Sequence, residues 1–514
     1  MKRRVLTENG WVRGLPAADP RITSYKGIPY AAPPVGENRW RAPQPCPDWE
    51  GELKAFDFTP IPMQPVKFQR RDLVYTREWS VDGEEPTSED CLHLNIWTPA
   101  DGYPVGVGDQ YREHEDDVLP EPGNLPVFVW FYGGGLQNGH SSEMEFDGER
   151  IARRGVVVVT INYRVNVFGF FAHPELTAEN PETPSNFGFL DQQFATRWVK
   201  RNIAAFGGDP NNITIGGQSA GGMSVCAQLA NPENKGLFSR AIIDSGMFVN
   251  VYPSSRGLIS DLKTAEARGV KLFEQLGVKT LAEARKIDAE TLMNQALSWQ
   301  PWGTWGSVID GGFCKNPADQ WYLLPDHVQC PVMFSATNNE FFMEPPAKNA
   351  KELEEYANQL PDAMKAPFLK AFEGADDETS IREKGLISAV DFAYHKAAKS
   401  LNGNTDMWLA QFAAEMPGWD HPGAFHSSDL WFYFETLAKC WRPFKGVHYD
   451  LARQMCDYWC NFMRTGNPNG NGSDGEPLPE WPGFTSSAPQ RMVFDRCAHV
   501  ESCEPTPVMK ALLL

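Results

Sequence analysis

The setting of one serine points to chemistry before anything else in this chain does. Ser219 stands in Gly217-Gln218-Ser219-Ala220-Gly221, directly after the β-branched run Ile213-Thr214-Ile215. Gly-x-Ser-x-Gly after a strand is the pattern of a nucleophile elbow. There a strand turns sharply into a helix and forces the serine into a strained backbone conformation. The flanking positions must be small, because a side chain would strike the neighbouring strand or helix. The turn lifts the hydroxyl clear of the sheet, within reach of a base and a substrate carbonyl. In a chain of 514 residues with 44 glycines the motif alone is weak. The chemistry it implies, acyl transfer through a serine, also demands oxyanion donors, a base and an acid.

Backbone N–H groups suit the oxyanion because they are oriented beforehand and cannot lose their role to protonation. Phe131-Tyr-Gly-Gly-Gly-Leu136 ends an apolar run upstream of the serine, which nominates Gly134 and Gly135, with the N–H of Ala220 as a further donor. Read alone, this stretch is a glycine-rich turn for chain reversal; the elbow downstream asks for the same strand-end geometry and favours the oxyanion reading. With such an elbow the chain order runs serine, acid, histidine. Of the ten histidines, His395, His421, His426, His448 and His499 fall late enough. His426 lies in the loop Gly423–Asp429 before the apolar run Leu430–Phe434, and His421 is a rival on the same grounds. For the acid, Glu340 follows the run Pro331–Phe334, at a strand end where α/β sheets bind ligands. By position alone it is one acidic residue among 66.

The elements that must hold these groups are legible as an alternation. Strand signals recur at Val127–Tyr132, Val156–Asn162, Ile213–Ile215, Arg240–Asp244, Pro331–Phe334 and Leu430–Phe434, several apolar on both faces. Helical patterns lie between them, at Asp191–Ala205, within Glu266–Leu297 and within Lys351–Phe372. Strands alternating with helices predict an α/β fold with a large, mostly parallel central sheet flanked by helices. Residues 101–124 and Asn467–Trp481 read as surface loops. No internal repeat divides the chain, and residues 1–514 read as a single domain.

Composition narrows the function classes. Apolar residues at 42% and charged residues at 22% are ordinary for a globular protein. A net charge of −19 argues against nucleic acid and anionic membrane surfaces as partners. Seventeen Trp and 31 Phe exceed what most folds need and suggest an aromatic pocket. The N-terminus has basic residues with no apolar segment behind them, and no run reaches transmembrane length. The ten cysteines include no zinc-type pair. A reduced, cytoplasmic protein without metal or cofactor is expected; the oligomeric state stays open.

With these residues in place, the chain resembles the type-B carboxylesterase family, α/β hydrolases that include cholinesterases and bacterial para-nitrobenzyl esterases. The resemblance rests on Phe206–Gly222, Glu89–Trp97, Tyr25–Pro34, Asn186–Gln192, Val308–Gly311 and Asn461–Gly470, in family order along nearly the whole chain. It implies an α/β-hydrolase fold, a small-molecule ester as substrate, Ser219 as nucleophile, Glu340 as acid and His426 as base. It implies Gly134, Gly135 and Ala220 as oxyanion donors, and sets Leu136, Trp302 and Trp305 in stretches similar to the acyl pocket. Some departures carry meaning. Ser335 and Phe341 replace the two glycines that commonly flank the acid. The region Thr59–Gln64 lacks the cysteine that secreted members pair with the counterpart of Cys91. Gln218 stands where cholinesterases carry a glutamate, which weakens the case for a quaternary ammonium substrate. A scaffold protein on the same fold and an acyltransferase with the same residues are the competing expectations.

Overall fold

The computed structural model describes residues 3–65, 74–79, 86–99, 124–247, 249–252, 260–298, 303–401, 403 and 406–514. Its centre is an eleven-stranded sheet. In chain order the strands are β1 (Leu15–Pro16), β2 (Ile22–Pro29), β3 (His93–Pro99), β4 (Leu125–Phe131), β5 (Val157–Ile161) and β6 (Gly208–Gln218). They continue with β7 (Arg240–Asp244), β8 (Val332–Thr337), β9 (Met407–Phe412), β10 (Gln490–Phe494) and β11 (Ala498–Ser502). The spatial order is β11-β10-β9-β8-β7-β6-β4-β5-β3-β2-β1. The run from β10 to β5 is parallel throughout, and β11, β3, β2 and β1 pair antiparallel.

Strand β4 shows why the interior is apolar on both faces. Its alternation sends Val127, Val129 and Phe131 into a cluster with Trp198, Ile203 and Val225. Phe128 and Trp130 go to the opposite cluster with Phe434, Trp459 and Phe462. Helix α1 (Phe187–Asn202) and helix α2 (Ala220–Ala230) carry Trp198 and Val225 onto the first face. A long helix, Gly446–Thr465, carries Trp459 and Phe462 onto the second. Burying each such ring contributes about 1.5–3 kcal/mol. All ten cysteines are free; Cys91, Cys226, Cys314, Cys330, Cys456, Cys460 and Cys503 are buried, Cys46 and Cys440 half-buried, and Cys497 exposed.

The sequence-based elements mostly recur with shifted bounds: Asp191–Ala205 covers most of α1 and runs on into the 3-10 turn Ile203–Phe206, and Glu266–Leu297 divides into Leu262–Leu276, Leu281–Ala284 and Ala289–Ser298. One expectation fails. Leu430–Phe434 is not a strand: Leu430–Tyr433 forms a short helix, α3, that is buried all round. A short, wholly apolar run carries no period to separate strand from helix, and the sheet position is filled instead by β9. The predicted loop at 101–124 lies outside the described residues except for Asn124.

Candidate active site

The carboxyl ends of four central strands bring the site together. Phe131 of β4 pairs with Gly217 of β6, Gln218 of β6 with Asp244 of β7, and Asp244 with Ser335 of β8. Ser219 lies between β6 and α2 at φ 57° and ψ −122°. That strain is held by backbone bonds, since Ser219 N–H donates to Asp244 O at 2.9 Å and Met223 N–H donates to Ser219 O at 2.9 Å. Sterics close the turn further. A methyl group on Gly221 would overlap the Phe131 carbonyl, and one on Gly217 would overlap the Gly221 backbone. Gly222 and Gly246 meet backbone to backbone, so a methyl on either would collide with the other. Ser219 remains half-buried among fully buried neighbours and is thus accessible.

The glycine loop after β4 sits against the elbow. A Cβ on Gly133 would lie 3.2 Å from the Ser219 Cβ, so the loop can approach only because it lacks side chains. Gly134 and Gly135 take φ of 102° and 64°. Below the loop Tyr132 and Tyr163 stack at 4.2 Å, and each hydroxyl donates to the other's carbonyl at 2.7 Å. Asn166 N–H donates to Leu136 O at 2.7 Å. Ala220 opens α2, where the first N–H groups of a helix have no intrahelical acceptor.

Glu340 and His426 meet across two loops. His426 Nδ1 lies 2.8 Å from Glu340 Oε2, and both side chains are buried. The other carboxylate oxygen, Oε1, accepts from Ser245 Oγ at 2.5 Å, Thr337 N–H at 3.2 Å and Thr337 Oγ1 at 3.0 Å. Burial pushes the Glu340 carboxyl up, but the His426 imidazole beside it and these hydrogen bonds outweigh it, and the carboxyl is held below its ordinary value. The histidine loop is fastened to the acid loop, as Asn339 N–H donates to Ala424 O at 3.0 Å. On its far side His426 Nε2 lies 3.3 Å from Gln218 Nε2, beside the elbow. These partners assign the tautomer: Nδ1–H donates to Glu340, and Nε2 keeps its lone pair toward the elbow.

His426 is thus the late histidine that meets Glu340. His421 is exposed, and His395 is buried against Phe484. His448 caps its own helix, and His499 lies on the edge strand β11. Around the site the backbone is under unusual strain, with Leu136, Ser219, Ser245 and Ser427 all at positive φ. Such strain gathers where the surroundings enforce it, commonly at functional sites.

The expected pocket residues divide. Gln218 is buried beside His426. Leu136 is buried under the glycine loop. Trp305 is 1% exposed, packs near Phe171, and donates its indole N–H to Ala296 O at 3.1 Å. Its ring therefore belongs to a core, and only its carbonyl, which accepts from Gln137 Nε2 at 2.6 Å, ties it to the glycine loop. Trp302 lies outside the described residues. Two features were missed from sequence. Ser245 follows β7 and reaches Glu340 only through the fold. Phe341 is half exposed with its ring 4.8 Å from the His426 ring, and Phe342 beside it is also exposed. The departure of Phe341 from the family's glycine was the available signal.

The comparisons with known proteins agree with this architecture. A sequence profile described as the carboxylesterase family matches residues 1–504. The para-nitrobenzyl esterase of Bacillus subtilis (strain 168) is 29% identical over 524 residues, which cover 97% of this chain and 96% of that protein. An acetylcholinesterase of Bungarus fasciatus is 29% identical over 536 residues, covering 95% of this chain and 82% of that one. Among solved structures, a Geobacillus stearothermophilus carboxylesterase superposes with a TM-score of 0.73 at 31% identity, covering 100% of both chains. A PNB esterase structure superposes with a TM-score of 0.78 at 26% identity, again over 100% of both. With a match that runs almost end to end in sequence and in fold, the chain belongs to the carboxylesterase family and is a carboxylic-ester hydrolase with the α/β-hydrolase fold.

Proposed function

We propose that the chain hydrolyses carboxylic esters through an acyl-enzyme on Ser219, with His426 as base and Glu340 as its orienting acid. The observation that carries this reading is His426, which joins Glu340 through Nδ1 and turns Nε2 toward the elbow. In the first step the Ser219 hydroxyl attacks the ester carbonyl while His426 Nε2 takes its proton. The imidazolium that forms is stabilised by the Glu340 carboxylate. The tetrahedral oxyanion is received by the N–H groups of Gly134, Gly135 and Ala220, each worth about 10²–10³ in rate. Collapse expels the alcohol, which takes the proton from His426. Water then attacks the acyl-enzyme with His426 again as base, and the acid departs.

Aromatic and apolar groups border the base, and the residue before the nucleophile is the neutral Gln218. This combination favours esters of uncharged alcohols or phenols over esters of quaternary ammonium alcohols, which call for negative charge beside the serine. The test is hydrolysis of p-nitrophenyl esters from acetate to decanoate, with Ser219→Ala in parallel. Turnover abolished in the variant supports the reading, and the chain-length optimum measures the acyl side. No turnover by the wild type and no labelling of Ser219 by an organophosphate would overturn it.

A further inference from the structure

Behind the candidate triad lie two carboxyl groups to which the proposed mechanism gives no role. Asp244 ends β7, and its carbonyl accepts the Ser219 N–H at 2.9 Å. Asp429 stands three residues after His426 and opens α3, where its carbonyl accepts from Phe432 and Tyr433 N–H at 2.9 Å each. Both are fully buried. Among the described residues neither forms an ion pair with a cation, and the two carboxyl groups lie close enough for each to perturb the other. Two ionised carboxylates only accept, so a bond between them requires a proton on one. The remaining oxygens fit this assignment. Ser335 Oγ donates to Asp244 Oδ1 at 2.9 Å, whereas Asp244 Oδ2 and both Asp429 oxygens have no conventional donor.

We propose that Asp244 and Asp429 share one proton and act as a positioning pair, a bolt that locks the histidine loop to the strand ends carrying the nucleophile and the acid. The proposal rests on the triad reading for its catalytic consequence, but not for the proton itself.

The surroundings favour retention of the proton. The groups facing the pair are Glu340, His426, Tyr394, Tyr433, Ser335 and Ser245. Glu340 adds a further negative charge that pushes both carboxyls up, and His426 acts against it on Asp244. Burial, the largest cause, pushes the Asp244 carboxyl up to about 6 and Asp429 well above the ordinary carboxylate range. The sign of the linkage follows. A group whose pKa is raised in the folded state holds a proton that the unfolded chain releases, so stability falls as pH rises from about 4 toward the folded value. Asp429→Asn would keep a donor to Asp244 without needing the proton.

The test has two arms. Denaturation at pH 7 in weak buffer should release about one proton more from the wild type than from Asp429→Asn. The Tm of Asp429→Asn relative to wild type should rise from pH 5 to pH 8. Equal proton release, or a Tm difference that ignores pH, would overturn the shared proton. In the second arm, Asp429→Ala should lower kcat about 10-fold or more with KM little changed, and Asp429→Asn should restore it. Should Asp429→Ala fail to fold, Asp244→Asn gives the same proton count, and Asp244→Ala set against Asp244→Asn gives the same comparison of kcat with KM. An alanine variant with wild-type kcat, or an asparagine variant as impaired as the alanine, would overturn the positioning role. Organophosphate labelling of Ser219 is scored separately, so a failed triad reading is not mistaken for a failed pair.

Discussion

The elbow and the acid–histidine junction are built from opposite materials. At Ser219 the geometry is set by what is missing: Gly217, Gly221, Gly222 and Gly246 leave no room for a single methyl group. At Glu340 and His426 it is set by what is present, with Ser245, Thr337 and His426 itself filling the carboxylate. Steric closure is all-or-none, because overlapping atoms force the backbone to move. Hydrogen-bonded loops yield by degrees, each bond to a charged group contributing about 1.5–3 kcal/mol. One half of the site is therefore brittle and the other graded.

Substitutions test that contrast. Ser219→Ala, which removes the proposed nucleophile and adds no bulk, should cut kcat/KM by about 10⁴–10⁶ while Tm stays near wild type, or rises as strain is relieved. Retained ester turnover in that variant would remove the elbow from the chemistry. Gly221→Ala should break the elbow by bulk alone, lowering stability by more than about 3 kcal/mol or preventing soluble expression; a wild-type melting curve would show that the turn is not sterically closed. On the graded side, Glu340→Gln should lower kcat by about 10²–10⁴ with a preserved fold. Because the Glu340 carboxyl sits below its ordinary value of 4.5, its ionised form stabilises the fold above that pH, and the contribution is lost as pH falls through the folded value. The Tm gap between wild type and Glu340→Gln should accordingly be open at pH 7 and close below about pH 4.5.

Ser245→Ala should be milder, about 10-fold in kcat at constant KM, since Thr337 and His426 still hold the carboxylate. A loss as deep as that of Glu340→Gln would mean that the junction is as brittle as the elbow. Phe341→Ala should have the smallest effect, raising KM for aryl esters about 3- to 10-fold while acetate esters of small alcohols change less, as expected for the loss of an apolar wall. Equal changes for both substrate types would remove Phe341 from the specificity of the site.

The same contrast explains what could be read from the sequence. The elbow is contiguous, and its glycines state the steric rule in one line of residues. The glycine loop is likewise local, so Gly134 and Gly135, like Ala220 in the elbow, are legible as candidate donors without the fold. The junction is assembled from residues scattered between Asp244 and Asp429, and spacing alone left His421 standing beside His426 and Glu340 lost among other acids. Only the family resemblance separated them. Ser245 and Asp429 had no local signature, because each gains its partner through the alignment of β7, β8 and the histidine loop. The short helix α3 was misread for a related reason: burial on every side erases the polar–apolar rhythm that tells helix from strand. Periodicity informs only where one face meets water.

The free cysteines give the molecule a built-in gauge of its own opening. Only Cys497 is exposed in the folded chain, and seven thiols are buried. A thiol-reactive dye should therefore mark a native molecule sparingly and an unfolded one at all ten positions. No cross-link holds the unfolded chain together, so folding must meet the whole entropy of ordering it through packing. Each buried sulfur then keeps time, counting how often and how widely its part of the interior breathes.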